Sequence, residues 1–256
     1  MIHSTAIVSS AAELAEEVEV GPYSIIGDDV QIGAGTEIGS HVVIKGTTEI
    51  GKNNRIFQFA SIGEDPQDKK YDGEKTRLVI GNGNTIREYC TLNRGTAQDT
   101  GVTCIGDNNW LMAYVHVAHD CEIGNETIFA NNSSLAGHVI VGDYVIFGGF
   151  SGAHQFCRIG AHSFIGNNAA VTRDVPPYIM VSGQPAVPRG VNSEGLKRRG
   201  FDSDQARNVK EVFRLLYRSG LRLEEARGRI AELAASREEL RIFAEFLERS
   251  ERSIVR

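Results

Sequence analysis

The chain has 256 residues, 41% of them hydrophobic, and a formal net charge of −6 at pH 7. This content can bury a large core, and no apolar run is long enough to span a membrane as a helix. The negative net charge argues against nucleic acid as a partner.

An aliphatic residue recurs at every sixth position from Ile2 to Val171, and glycine often follows it, as in Val20-Gly21 and Ile32-Gly33. This period fits neither an amphipathic helix nor the alternation of one long strand. It is typical of a parallel β-helix, in which three hexads, about eighteen residues, close one triangular coil. We expect the glycines to serve tight bends, because glycine tolerates backbone angles that a Cβ would oppose.

Two interruptions of the hexads indicate loops extruded from a β-helix domain of residues 1–176. Residues 63–79 lack the apolar pattern, yet Ile80-Gly81 resumes in phase with Ile62. Residues 97–104 shift the register by one position. Loops inserted on a repetitive scaffold commonly carry binding residues.

The hexads end at Asp174-Val175-Pro176-Pro177, and residues 177–256 are predicted to form a C-terminal α-helical domain. Asp202 with Gln205, and Ser236 with Glu239, have the spacing of a capping box at a helix start. Apolar residues then recur at helical spacing: Val209, Val212, Phe213 and Leu216, and later Leu240, Phe243, Phe246 and Leu247. Such a domain would cap the open end of the coil.

The cysteines indicate a reducing compartment. Cys90, Cys121 and Cys157 all occupy the small corner position of the hexad, so we expect buried thiols rather than disulfides. No signal peptide precedes the first repeat, and we therefore expect a cytoplasmic protein.

Four of the seven histidines lie close together in the sequence: His116, His119, His138 and His154. Residues eighteen apart stack on successive coils about 4.8 Å apart. His119, Gly137 and Gln155 then form one column, and Asp120 and His138 the next. These groups are the parts that acyl transfer needs.

Chemistry suggests a role for each group. Imidazole titrates near neutral pH, so one histidine suits a general base, and the bare backbone of Gly137 suits an oxyanion donor. Asp120 can orient His119 only if the backbone bends between them, because adjacent strand residues point to opposite faces.

These residues carry a resemblance that spans nearly the whole chain. The hexads alone specify only a superfamily, but the segments 116–121, 136–139, 154–157 and 190–201 resemble the UDP-N-acetylglucosamine O-acyltransferases, which begin lipid A synthesis. The resemblance implies a left-handed parallel β-helix and a homotrimer with active sites between subunits. It also implies transfer of a (3-hydroxy)acyl group from acyl carrier protein to the 3-hydroxyl of UDP-N-acetylglucosamine. The acyl-phosphopantetheine of acyl carrier protein would be a co-substrate, with no permanently bound cofactor and no metal.

The resemblance also implies individual roles. His119 would be the general base, Asp120 its partner and the Gly137 amide the oxyanion donor. Further substrate contacts would come from three groups: His116, His138, His154 and Gln155; Asp68 and Lys70 of the first loop; and Asn192, Glu194, Arg198 and Arg199 at the diphosphate and uridine. Cations suit a diphosphate. Alternatively, Asp68 and Lys70 are solvated and the arginines favour a helix C-terminus.

The chain departs from the family pattern at two positions. Asn93 stands where some members have histidine. Asn167 stands where members that accept long acyl chains have glycine, so it would act as a ruler that shortens the accepted chain. Alternatively, Asn167 is a corner residue with left-handed backbone, a conformation that asparagine adopts readily.

Two other functions stay open on the residues alone. One is the related N-acyltransferase, which usually carries an additional N-terminal domain, whereas here the hexads start at residue 2. The other is a zinc lyase of the carbonic anhydrase type, for which Ile159 stands where a third ligand after His154 would be needed.

Overall fold

The computed structural model describes residues 1–250 and 253–256. Within them lie 27 short strands, β1 to β27 in chain order: Ile7–Val8, Glu13–Leu14, Glu19–Val20, Ile25–Ile26, Val30–Ile32, Glu37–Ile38, Val43–Ile44, Thr47–Ile50, Arg55–Ile56, Ser61–Glu64, Arg77–Ile80, Thr85–Ile86, Thr91–Asn93, Val102–Ile105, Trp110–Leu111, His116–Val117, Glu122–Ile123, Ile128–Phe129, Ser134–Leu135, Ile140–Val141, Ile146–Phe147, Gly152–Ala153, Arg158–Ile159, Phe164–Ile165, Ala170–Val171, Ile179–Ser182 and Val187–Val191.

From β1 to β25 every third strand stacks in one sheet, which makes a triangular prism. Sheet I contains nine strands from β1 to β25, sheet II eight strands from β2 to β23, and sheet III ten strands from β3 to β27. Pairing is parallel except between β26 and β27. Uninterrupted coils repeat after eighteen residues, as in Ile7 opposite Ile25. The predicted parallel β-helix of hexapeptide repeats is confirmed.

The chain passes from sheet I to II to III and back, which defines three corners of the prism: I–II, II–III and III–I. Many II–III and III–I corners contain a non-glycine residue in the left-handed region, such as Tyr23 at φ 59° and Asn168 at φ 55°. At the I–II corner Asp120 and His138 have the same conformation. A left-handed residue lets the backbone turn within a few residues.

The glycines after the aliphatic residues have a different cause from the one predicted. Gly21 and Gly33 are not in the left-handed region, although Gly63 is, at φ 73°. An added Cβ at Gly21 would lie 2.6 Å from the backbone of Gly39, and one at Gly33 would lie 2.7 Å from Gly51. These glycines therefore allow one coil to approach the next.

Both extruded loops leave the prism at the I–II corner. The first connects β10 to β11 through residues 65–76, and the second connects β13 to β14 through residues 94–101. Residues 102–104, which the sequence analysis placed in the second loop, belong to β14 and pair with β11. Strands β26 and β27 lie beyond the predicted domain boundary at 176, and β26 pairs with β24, so sheet III continues to Val191.

Aliphatic side chains fill the inside of the prism. Ile26, Ile44, Ile62, Leu92 and Leu135 are at most 1% exposed. The corner thiols Cys90, Cys121 and Cys157 are fully buried, and none of the four cysteines forms a disulfide in the described chain.

Four helices follow the coil: α1 Ser193–Arg198, α2 Ser203–Tyr217, α3 Leu223–Ala234 and α4 Arg241–Arg249, with a 3-10 turn at Glu238–Leu240. The capping box of Asp202 and Gln205 begins α2 as predicted. The one predicted at Ser236 was wrong, because the Ser236 hydroxyl donates back to the Leu233 carbonyl at the end of α3.

The helices pack on the last coils of the prism. The Tyr178 hydroxyl donates to the Glu239 carbonyl (2.9 Å), and its ring contacts Phe243. Val255 N–H donates to the Asp174 carbonyl. In the part of the chain that the structure describes, none of the helices is long and apolar enough to cross a membrane.

Candidate active site

The I–II corner brings most of the predicted chemistry together on adjacent coils. Residues 118–121, 136–139 and 154–157 are three successive turns at this corner. The two extruded loops leave the same corner on the coils below. His119, Asp120, Gly137 and His138 are in mutual contact here, as the eighteen-residue spacing predicted.

His119 and Asp120 are hydrogen-bonded neighbours. The Nδ1 atom of His119 lies 2.9 Å from Oδ2 of Asp120. This contact is possible because Asp120 has a φ of 57°, the bend that the sequence analysis required. The Asp120 side chain is fully buried and that of His119 is 14% exposed. The acceptor carboxylate favours a proton on Nδ1, which leaves Nε2 as the basic nitrogen.

The second loop fixes the Asp120 carboxylate. The backbone N–H of Thr96 donates to Oδ1 at 2.9 Å, and the Thr96 hydroxyl donates to Oδ2 at 2.7 Å. On the other side the Thr103 hydroxyl accepts from the Asp120 N–H at 2.8 Å. A buried carboxylate with several donors keeps one orientation, so it holds His119 in one orientation as well.

Gly137 lies directly against the imidazole of His119. A Cβ at position 137 would lie 2.7 Å from Nε2 of His119. Among residues 1–250 and 253–256, no acceptor takes the Gly137 backbone N–H. This N–H is outside the strand ladder because residue 137 stands at the corner, so it is available to an incoming oxyanion.

His138 packs edge-on to His119, with ring centroids 4.9 Å apart and an interplanar angle of 86°. One face of the His138 ring stacks on Phe156, with ring centroids 4.3 Å apart. One potential metal-ligating atom from each of His119, Asp120 and His138 lies within 4.8 Å of the others, a spacing that is compatible with a bound metal ion. The hydrogen bonds among the described residues already account for this cluster.

His116 and His154 lie on the sheet I side of this corner. Nδ1 of His116 is 2.7 Å from the Thr91 hydroxyl, and desolvation lowers the pKa of this histidine, which favours the neutral ring. Both histidines line a shallow groove of about 510 Å³ across the outer face of sheet I. The remaining lining is mostly small or apolar: Ser134, Leu135, Ala136, Phe150, Gly152, Ala153, Asn168, Ala169, Ala170, Val171, Thr172 and Gln184. Gln155 is exposed beside His154.

Asp68 and Lys70 lie in the first loop, where the Lys70 N–H donates to the Asp68 carboxylate at 3.0 Å. The buried Arg94 holds this loop by donating to the Gly63 carbonyl, the Asp65 carboxylate and the Tyr71 hydroxyl. Asn93 donates from Nδ2 to the Asp65 carbonyl at 2.9 Å, and its buried Oδ1 has no partner among the described residues.

The predicted diphosphate and uridine residues lie at the II–III corner, away from His119. Asn192 caps α1 and donates to the His162 carbonyl at 2.9 Å. Arg199 lies 4.9 Å above the Tyr144 ring and donates to the Tyr144 carbonyl. Desolvation lowers the Arg199 pKa. Glu194 and Arg198 form an exposed ion pair at 3.0 Å.

Asn167 lies at the III–I corner, at the far side of the sheet I face. Its Oδ1 accepts from the Gly149 N–H at 3.1 Å on the coil below. The left-handed residue of this corner is Asn168, so left-handed backbone does not explain an asparagine at 167.

The residues that hold the site in place were not predictable from the hexad pattern. Thr96, Asp99 and Arg94 contact Asp120, His138 and the first loop respectively. All three belong to the inserted loop, where the hexad period is interrupted and stacking cannot be deduced from spacing. The only signal was the presence of the loop itself.

Known proteins match the chain over its full length. The family model for UDP-N-acetylglucosamine O-acyltransferase domain 2 matches residues 174–255, and the bacterial transferase hexapeptide model matches residues 11–46 and 105–137. An acyl-[acyl-carrier-protein]–UDP-N-acetylglucosamine O-acyltransferase of Thiobacillus denitrificans is 60% identical, with 100% of this chain and 99% of that protein covered. That of Stenotrophomonas maltophilia K279a is 56% identical, with coverage of 100% and 97%.

Solved structures agree with these matches. LpxA from Acinetobacter baumannii superposes with a TM-score of 0.97 at 51% identity, covering 100% of this chain and 99% of that one. The UDP-N-acetylglucosamine acyltransferase of Francisella novicida superposes with a TM-score of 0.98 at 47% identity, covering 100% and 94%. Superposition this close requires the same coil hand, which confirms the left-handed β-helix that the resemblance implied. The chain belongs to the UDP-N-acetylglucosamine O-acyltransferase family.

Proposed function

We infer that the chain is an acyl-[acyl-carrier-protein]–UDP-N-acetylglucosamine O-acyltransferase. It transfers an acyl group from acyl carrier protein to the 3-hydroxyl of UDP-N-acetylglucosamine, the first step of lipid A synthesis. Full-length identity of 60% to a protein of that name supports this activity. Such relatives are named for O-acyl transfer, which favours an ester product over the amide of the related N-acyltransferases.

The proposed reaction mechanism is based on the hydrogen-bonded pair His119–Asp120. We propose that Nε2 of His119 takes the proton of the sugar 3-hydroxyl while that oxygen attacks the thioester carbonyl. The carbonyl oxygen becomes an oxyanion and accepts the Gly137 N–H. The C–S bond then breaks, and the phosphopantetheine thiolate takes the proton back from His119. Asp120 stabilises the imidazolium throughout, as a buried carboxylate bonded to Nδ1 does in other acyl-transfer sites.

The groove on sheet I fits the acyl chain. It runs from Ala136 and His154 at the I–II corner to Phe150 and Asn168 at the III–I corner. An acyl chain that starts at His119 and follows this groove ends beside Asn167. We propose that Asn167 limits its length and that His116, His138, His154 and Gln155 contact the sugar and the thioester.

A homotrimer with shared sites explains why the predicted substrate contacts lie at different corners of one chain. His119 is at the I–II corner, whereas Asn192 and Arg199 are fixed at the II–III corner by contacts to His162 and Tyr144. These two corners lie at opposite edges of sheet II. We propose that Asn192, Glu194, Arg198 and Arg199 of a neighbouring chain bind the nucleotide of the UDP-sugar, and that Asp68 and Lys70 complete the site.

A cytoplasmic location is consistent with both substrates and with the state of the cysteines. None of the four cysteines forms a disulfide in the described chain, which favours a reducing compartment. Acyl carrier protein supplies the acyl-phosphopantetheine as co-substrate, and the proposed reaction needs no permanently bound cofactor.

The test is incubation of the protein with UDP-N-acetylglucosamine and a panel of acyl carrier protein thioesters of increasing chain length, with and without a 3-hydroxyl. Mass spectrometry of the nucleotide product measures transfer and chain length together. We expect a 3-O-acyl product whose ester is cleaved by mild base. A base-resistant amide product, or the absence of acylation with every donor, would exclude the proposed reaction.

A further inference from the structure

The second loop places a carboxylate beside His138 that the proposed chemistry does not use. Asp99, near the tip of the loop, has Oδ2 2.6 Å from Nδ1 of His138. Its side chain is 43% exposed, against 14% for His138. We propose that Asp99 is a positioning residue of the acyltransferase, which fixes the orientation and the tautomer of His138. This inference rests on the function proposed above.

The base of the loop is anchored, so Asp99 is held in place. Thr96 donates twice to the buried Asp120 carboxylate, and the Asp99 N–H donates to the Thr96 carbonyl at 3.3 Å. On the C-terminal side of Asp99, the Thr100 hydroxyl donates to the carbonyl of Val102, the first residue of β14. The same loop therefore binds Asp120 through Thr96 and His138 through Asp99.

The geometry assigns the proton of His138. A carboxylate only accepts hydrogen bonds, so Nδ1 carries the proton toward Asp99 and Nε2 is unprotonated in the neutral ring. The Asp120 Oδ2 atom is 3.9 Å from the same Nδ1, too far for a hydrogen bond. Asp99 is thus the acceptor that determines the tautomer.

The orientation of His138 also matters for the general base. Asp99 holds one edge of the His138 ring, and Phe156 covers one face at 4.3 Å. The ring in this position packs edge-on against His119. Without Asp99, His138 could rotate away, and the His119 ring would lose one of the groups that hold it against Gly137.

Beyond Asp99 lies a cavity of about 400 Å³ that lets water reach this hydrogen bond. Asp99, Thr100, Glu122, Phe156 and Arg158 are among its lining residues. If Asp99 is removed, water can replace it but cannot hold the ring in one orientation. We therefore expect a loss of rate rather than a loss of folding.

The test compares Asp99→Ala with a matched control, Asp107→Ala. Like Asp99, Asp107 is an aspartate whose carboxylate accepts hydrogen bonds, in this case from Asn82, but it is half-buried and lies at the II–III corner. We expect Asp99→Ala to lower kcat about tenfold, as for the loss of one charge-assisted hydrogen bond, with little change in KM for either substrate. Asp107→Ala should keep the wild-type kcat.

A second measurement does not depend on activity. In ¹⁵N-histidine-labelled protein, the signals of His138, assigned through His138→Gln, should report a proton on Nδ1 in the wild type and a mixture of tautomers in Asp99→Ala. Asp99→Asn keeps an acceptor oxygen and should keep the wild-type signal. An unchanged tautomer in Asp99→Ala, or an equal loss of kcat in Asp107→Ala, would overturn the proposal. A wild-type protein that acylates nothing would instead refute the proposed function, while the tautomer measurement would still decide the role of Asp99.

Discussion

The contact between His119 and Gly137 predicts that a single methyl group at position 137 disables the histidine that we propose as the general base. In Gly137→Ala, the Cβ would lie 2.7 Å from Nε2 and 3.0 Å from Nδ1 of His119. Ordinary contact between such atoms is about 3.5 Å or more, so the ring must shift by roughly 0.5–1 Å. The buried Asp120 carboxylate cannot move with the ring, because Thr96 fixes it. The shift therefore disrupts the 2.9 Å hydrogen bond between His119 and Asp120.

The magnitude follows from the size of this shift. A displacement of about 1 Å at a reacting group can reduce the rate about 10²-fold, which corresponds to ~2.7 kcal/mol in the activation barrier. The backbone N–H that we assign to the oxyanion is still present in Gly137→Ala. A loss of this size would therefore be caused by displacement of His119 and not by removal of the oxyanion donor.

Steady-state kinetics with acyl carrier protein thioesters would measure kcat, and circular dichroism with a thermal melt would monitor the fold. Gly228→Ala is the control, because a Cβ at Gly228 in α3 meets no atom within 4 Å. A Gly137→Ala protein with wild-type kcat and an unchanged melt would show that His119 is not held as we describe.

Four further outcomes are expected. His119→Ala should lose on the order of 10²-fold or more in kcat with an unchanged circular dichroism spectrum, as for removal of a general base; near-normal turnover would exclude His119 as the base. Light scattering should report a trimer, and a monomer with full activity would exclude a shared site. Asn167→Gly should shift the preferred donor to longer acyl chains, and identical chain-length profiles would place the ruler elsewhere. Burial, with a smaller effect of Arg199, lowers the pKa of His162 from 6.5 to about 4, so the folded state binds fewer protons than the unfolded state in this range. The stabilising contribution of neutral His162 is therefore fully present above about pH 6.5. As the pH falls toward 4, the unfolded state binds a proton that the folded state does not, so the free energy of unfolding decreases by ~1–2 kcal/mol after allowance for the partial exposure of His162. Urea unfolding of wild type and His162→Phe, which keeps a ring between Tyr144 and Tyr178, should differ in pH slope over this range, and equal slopes would contradict the assignment.

The coil and the histidine column were predictable because both follow from a local period. Residues eighteen apart stack whatever the rest of the chain does, so the proximity of His119 to Gly137 and of Asp120 to His138 could be deduced from spacing. The positions of Thr96 and Asp99 could not be deduced from spacing, because the inserted loop has no sequence period. It also could not show that Asn192 and His119 lie at different corners, since that depends on how the helical domain folds back on the coil.

The two capping boxes show why local motifs succeed or fail. The Asp202 carboxylate accepts from the backbone N–H groups of Asp204 and Gln205, the Asp202 N–H donates to the Gln205 side chain, and the helix begins there. Ser236 stands close behind the end of α3, and its hydroxyl bonds the Leu233 carbonyl instead. A serine hydroxyl can satisfy the end of one helix or the start of the next, and the spacing of the motif alone does not distinguish the two.

The position of the site at a corner, rather than on a sheet face, follows from backbone geometry. On a flat strand, two consecutive side chains point to opposite sides, so a histidine cannot bond the aspartate next to it. At the I–II corner, Asp120 adopts a φ of 57°, which turns its carboxylate back toward His119, and aspartate tolerates this conformation better than most residues. His138 has the same conformation one coil above, with φ 63°, and its ring therefore lies on the same side of the corner as the Asp120 carboxylate. At residues 118–121, 136–139 and 154–157 the I–II corner repeats this bend on successive coils, and the side chains of Asp120 and His138 at these bends bring a carboxylate and a second imidazole to the histidine that we propose as the base.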